Sequence, residues 1–255
     1  MTRTLKALGA SAATAGLLAV AGCSSEEEQA SPAPDTAGES TGTTDTAEST
    51  AQDGGAESPA SETPFDHDFA TLLAGVTYKD QQVNQDTAED VEVFKQITEA
   101  GAAEAENLGI VVDPPECAEA AQQGQGSFDT TKISPDTLTI GTALVDDMNV
   151  IAYDKSISEA PLANATAQLE QCSAMTVEVA GITQNVTTEQ RPFEADASDG
   201  YAMVQTTESG DGAPLQVYTT VAEKNGVIVT IGVSTADEAS IQAVNDTLDM
   251  ILERV

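Results

Sequence analysis

Leu215-Gln-Val-Tyr-Thr-Thr-Val-Ala-Glu-Lys-Asn-Gly-Val-Ile-Val-Thr-Ile-Gly-Val233 is the stretch on which the fold class turns. Two runs rich in Val, Ile, Thr and Tyr, Leu215 to Val221 and Val227 to Val233, flank Glu223-Lys224-Asn225-Gly226. β-Branched and aromatic residues suit a pleated, packed surface, and Asn-Gly tolerates the positive φ angles of a two-residue hairpin turn. Five more runs of the same kind lie upstream: Leu138 to Leu144, Asn149 to Tyr153, Met175 to Val179, Ile182 to Thr187 and Tyr201 to Thr206. Short strands separated by turn residues predict antiparallel pairing.

Helix signals fall between and after these runs. Thr87-Ala88-Glu89-Asp90 opens a segment with Val91, Phe94, Ile97, Ala105 and Leu108 on one face, closed by Gly109. Asp113-Pro114-Pro115-Glu116 offers a carboxylate cap, proline at the first helical position and Glu at the third, predicting a short helix through Cys117 to about Gln123. Ser158 caps a third helix with Leu162, Thr166, Leu169 and Cys172 along a stripe. Thr235 and Glu238 open the last, in which Ile241, Val244, Leu248, Ile251 and Val255 recur at helical spacing. The expected class is α+β: an antiparallel sheet with helices packed on one face.

The N-terminal quarter has a different composition. Arg3 and Lys6 precede an uncharged stretch, Ala7 to Ala21, in the layout of a secretory signal. Val20-Ala21-Gly22-Cys23 resembles the lipobox of bacterial lipoprotein precursors, which implies a diacylglyceryl group on the Cys23 thiol and cleavage just before it. The alternatives are an ordinary signal that contains a cysteine, or an uncleaved membrane helix. The apolar run is shorter than the ~20 residues a spanning helix needs. Residues Ser24 to Pro64 hold ten carboxylates, no Lys or Arg, and no aromatic or branched aliphatic residue. Such a segment lacks the apolar surface to offset chain entropy and reads as a disordered acidic tether, with Thr and Ser beside Pro open to O-linked sugars. The expected organisation is a signal peptide over 1–22, a lipidated cysteine and tether over 23–64, and a single domain over 65–255.

Charge bounds the partners. Without Arg3 and Lys6 the chain has 43 acidic against seven basic groups, net −36. That excludes a basic footprint for nucleic acid and a polybasic grip on anionic lipid, so membrane attachment rests on Cys23. The simplest reading of this acidity is a solvated surface; attraction of cations is the sharper one. Glu194-Ala-Asp196-Ala-Ser198-Asp199-Gly200 approaches a calcium loop, but its glycine falls one place late and Gln205 stands where a bidentate Glu is required.

Cys117 and Cys172 remain as an even pair in an exported domain and read as one disulfide. A redox or metal pair is the competing reading, without a Cys-x-x-Cys motif to carry it. The lone histidine, His67, lies between Asp66 and Asp68; such a run reads as a solvated helix start, with a metal site as the alternative. No nucleophile motif, phosphate loop, zinc helix or dinucleotide fingerprint occurs, so neither an enzyme nor a cofactor is expected.

Val111-Val112-Asp113-Pro114-Pro115-Glu116-Cys117-Ala118, then Gln168-Leu169-Glu170-Gln171-Cys172, then Val217 to Val221, Asn225 to Val229 and a final amphipathic helix form a pattern. It resembles the extracellular sensor-like domain of actinobacterial serine/threonine kinases and its stand-alone lipoprotein relatives, over most of residues 70 to 255. The resemblance implies an α+β domain with an antiparallel sheet and a cleft for an unidentified ligand. Those domains tend to carry two disulfides and often a tryptophan before a cysteine; this chain has one candidate pair and no Trp. No ligand residue carries over. The expected function is a lipid-anchored extracytoplasmic module that binds a small envelope molecule; the alternative is an envelope interaction protein acting on a protein partner. Cys23→Ala should release the protein from the membrane fraction or leave an uncut precursor, read by fractionation and mass; unchanged size and retention would contradict the anchor.

Overall fold

Across the turn at Asn225 (φ 50°) and Gly226 (φ 82°), Lys224 pairs with Val227, the two-residue geometry that Asn-Gly favours. The computed structural model describes residues 67–105, 109–118, 128–158, 162–179, 181–210 and 212–255. In chain order these give β1 (Thr77–Tyr78), β2 (Gln81–Gln82), β3 (Asn84–Gln85), α1 (Ala88–Ala105), β4 (Val111–Asp113), β5 (Leu138–Ala143), β6 (Met148–Asp154), α2 (Leu162–Gln171), β7 (Ala174–Val179), β8 (Ile182–Arg191), β9 (Asp199–Ser209), β10 (Leu215–Lys224), β11 (Val227–Val233) and α3 (Glu238–Leu252). The signal segment, Cys23 and the tether lie outside the described residues.

Nine strands form one sheet in the order β3-β5-β6-β11-β10-β9-β8-β7-β4. Every pairing is antiparallel. All seven expected strands are present, and β8, β9 and β10 run longer than expected, to Arg191, Ser209 and Lys224. The strands β7 to β11 form a meander, and β11 turns back to pair with β6. The chain therefore makes three long crossings, one of them the return from β4 to β5. From β3 at one edge it passes through α1 to β4 at the other, and from β6 it passes through α2 to β7.

The helices divide between the two faces rather than sharing one. On the first face α3 lays Val244, Leu248 and Ile251 against Val229, Ile231 and Tyr218, and the segment Phe69 to Val83 completes that core. On the second face Val91 and Phe94 of α1 and Leu162 of α2 meet Ile151, Tyr153, Val221 and Ile228. The physical reason is visible in β11: Val227, Val229 and Ile231 face one way, Ile228 the other, and both sets are buried. Strands apolar on both sides need cover on both.

Helix ends differ from expectation in detail. Thr87 and Asp90 form the reciprocal cap: the Thr87 N–H donates to the Asp90 carboxylate at 2.9 Å, and the Asp90 N–H to the Thr87 hydroxyl at 3.4 Å. Ile97, expected on the inner face, is exposed. Asp113 does not cap a helix; its backbone pairs with Thr176 in β4, and a short turn over Pro115–Cys117 follows instead. The rest of that expected helix, to Gln123, lies outside the described residues. Ser158 closes the turn Lys155–Ile157 and bridges Phe128, and residues 159–161, between it and α2, lie outside the described residues. In α3 the cap is Asp237, whose carboxylate accepts the Ala239 and Ser240 N–H groups at 3.0 Å, while Thr235 donates its hydroxyl to Asp237 at 2.9 Å.

Cys117 and Cys172 form the expected disulfide, joining residues 55 apart in sequence with Cα atoms 5.6 Å apart. It bolts the end of β4 to the end of α2, beside β7. In the chain-entropy picture a loop of this length stabilises by about 4 kcal/mol. The Cys117→Ser, Cys172→Ser double variant should lose about that much in urea unfolding at equal slope; a loss under about 1 kcal/mol would show that the bond adds no constraint.

Candidate functional site

Alternation along each strand assigns side chains to faces, and the registers then build the face that α1 and α2 cross. One apolar cluster sits on its inner part, with Ile151, Tyr153, Val221 and Ile228. A second, smaller cluster sits on its outer part, with Val177 and Val186 against Ile110, Val112, Met175 and Val179. A domain of this size ordinarily has one contiguous core. Here two rows separate the clusters: Asn149, Gly232, Thr219 and Met203 in one, Val217, Gln205 and Thr188 in the next.

This seam is polar and covered. Thr219 (7 % exposed), Met203 (6 %) and Gln205 (6 %) are all buried. The oxygens Asn149 Oδ1 and Gln205 Oε1 meet no hydrogen-bond donor, and neither does Gln184 Oε1, two rows further along β8 on the same face. A buried acceptor without a donor costs about 1–3 kcal/mol. Three of them on one face are large against a total stability of about 5–15 kcal/mol, and such atoms mark a place where a donor is missing. The fourth unpartnered buried atom among the described residues, Arg191 Nε, lies on the opposite face. Topology supplies the cover: α2 contacts β9 on its way from β6 to β7.

A different cluster resembles a catalytic arrangement and is structural. Lys79 Nζ lies 2.8 Å from Ser240 Oγ and 2.6 Å from Asp146 Oδ2, and Tyr78 donates its hydroxyl to the same carboxylate at 2.6 Å. Ser240 is completely buried, so its hydroxyl is closed to substrate. Burial alone would raise the Asp146 carboxyl, but Lys79 and Tyr78 hold it below the usual carboxylate range, and burial pushes the Tyr78 hydroxyl up. The group locks α3 to the turn at Asp146 and to β1. Its members come from separate stretches, so no local sequence signal announces it.

Among the sequence candidates, His67 Nε2 sits 3.2 Å from the Asn225 carbonyl, and Asp68 accepts from the Ala70 N–H and the Thr71 hydroxyl. Asp66 lies outside the described residues. Among the described residues no group of three His, Cys, Asp or Glu side chains is placed to hold a metal ion, and no helix is long and apolar enough to cross a membrane.

Two clefts open elsewhere. One of about 300 Å³ lies where β4 stops, lined by Pro114, Met175, Asn185 and Val186. The other, about 340 Å³, lies beside β3 and is lined by Leu73, Val83, Gln85 and Asp86. Burial, and then the neighbouring Asp90 charge, push the Asp86 carboxyl up to about 6. A carboxyl whose folded-state pKa is raised favours folding fully below its unfolded value near 4, and loses that contribution as pH rises through about 6. Asp86→Asn should therefore gain stability relative to the natural chain between pH 4 and pH 8, measured by urea unfolding at both; a pH-independent difference would contradict the burial.

No family model and no curated protein matches the chain. Two solved structures are similar. The extracellular domain of PknH from Mycobacterium tuberculosis aligns at 13 % identity and a TM-score of 0.36, over 56 % of this chain and 78 % of that one. An uncharacterized protein of Mycobacterium smegmatis, an Rv0999 ortholog, aligns at 14 % identity and a TM-score of 0.37, over 58 % of this chain and 76 % of that one.

Proposed function

We propose that this chain is a lipid-anchored extracytoplasmic binding module of the sensor-like type, held to the membrane through Cys23, with its ligand seated in the seam between the sheet and the α1 and α2 crossings. The single observation that carries the binding reading is the set of three buried carboxamide oxygens without donors, Asn149, Gln184 and Gln205, on the helix-crossed face. A ligand that brings hydrogen-bond donors to these oxygens removes a cost that the protein alone leaves standing. The anchor rests on the Val20-Ala21-Gly22-Cys23 sequence and the acidic tether behind it.

A second reading has its own observation. Val93 and Ile97, one turn apart on α1, and Val111 on the edge strand β4 are exposed, which suits an envelope protein that acts on a protein partner. The two readings separate experimentally. Native mass spectrometry of the mature chain purified without denaturant should show a retained small molecule, and Gln205→Leu should lose it. If Gln205→Leu only stabilises the protein, by about 1–2 kcal/mol, and no molecule was bound to begin with, the carboxamides are a bare structural cost and the partner reading gains.

A further inference from the structure

We infer that the occupant of the seam is an extended chain of N–H donors carrying no net negative charge, a neutral or basic peptide segment or a polyamine; this rests on the reading of the seam as a binding site. The first argument is the sign of the missing partner. All three unpartnered atoms are carbonyl oxygens, so what they lack is a donor.

The second argument is extent. Gln205 on β9 stands opposite Thr188 on β8, and Gln184 is four residues further along β8. At about 3.3 Å per residue the two carboxamides are anchored about 13 Å apart. Asn149 on β6 and Gln205 on β9 are separated by three strand spacings, about 14 Å. Val186 of the outer cluster lies between Thr188 and Gln184, so the seam itself presents Asn149 and Gln205; a compact molecule reaches one of these two oxygens and an extended one reaches both.

The third argument is charge. The sheet floor of the seam holds no basic side chain. Elsewhere Lys79, Lys132, Lys155, Arg191 and Lys224 are each paired with a carboxylate. Arg254 donates to the Leu72 and Ala74 carbonyls. The one other base of the mature chain, Lys95, stands on α1 next to Phe94 of the inner cluster. An anionic ligand would meet uncompensated carbonyl dipoles inside a strongly acidic protein. A sugar chain fits less well than an amine or amide chain, because the floor of the seam offers no aromatic ring to stack on; Phe94, Phe128, Tyr153 and Tyr201 all belong to the inner cluster.

The test is calorimetric titration of the mature chain at physiological salt with three probes: spermine, a capped neutral decapeptide of alternating Gln and Ala, and decaglutamate. Each is repeated on the Gln184→Leu, Gln205→Leu double variant and on the milder Gln205→Met, with folding checked by circular dichroism. The expected result is binding of spermine or the neutral peptide, weakened at least tenfold in the folded variants, and none of decaglutamate. Whichever of the first two probes binds distinguishes the polyamine from the peptide. Unchanged affinity of both probes in the variants would overturn the assignment, since it would mean attachment to the acidic exterior. Decaglutamate binding that the variants lose would overturn the chemical class while leaving the seam as a binding site. No probe binding, together with no retained molecule, would sink both.

Discussion

Two crossings of one sheet face set the terms for everything else in this domain. Because β3 and β4 occupy opposite edges, and β6 and β7 are separated by four strands, α1 and α2 must each travel across the sheet before the chain re-enters it. Their near ends are fixed by apolar contacts: Val91, Phe94 and Leu162 on the inner cluster. The Cys117–Cys172 disulfide ties the far end of α2 to the turn after β4. A helix held at both ends, as α2 is, needs no continuous apolar contact in the middle, and the sheet turns polar between the two clusters.

The other face obeys a simpler rule. There α3 and the segment Phe69 to Val83 pack on a contiguous apolar floor, and the buried polar groups at its rim are satisfied: Ser240 by Lys79 and Asp237, and Thr247 by the Thr77 and Ala243 carbonyls. The contrast between a face with one unpartnered buried atom, Arg191 Nε, and one with three unpartnered acceptors is what separates a supporting core from a candidate site, since buried polar groups in native proteins ordinarily find partners.

Much of this was legible in the sequence, and the parts that were not have physical causes. The seven longer strands and the Asn225-Gly226 turn announced themselves through β-branched runs and turn chemistry. The strands β1 to β4 did not, because Gln81-Gln82 and Asn84-Gln85 are two polar residues each and Val111 to Asp113 is three, too short for any alternation to appear. The near-continuous apolar run of β11 is the sign in the sequence that both faces are covered. Asp237 rather than Thr235 caps α3 because both are cap residues two positions apart and only backbone geometry chooses. Gln184 and Gln205 were invisible as site residues: a glutamine in a strand reads as solvent-facing, and only the register shows it on the covered side.

The central claim is that the seam is occupied in the protein as it works. A high-resolution crystal structure of the mature chain, purified under native conditions, tests it most directly. An elongated molecule should lie between the helices and the sheet, with donors within hydrogen-bonding distance of the Asn149 and Gln205 oxygens. A tightly closed interface, with both carboxamides bonded to protein groups or ordered water and no room for a ligand, would contradict it.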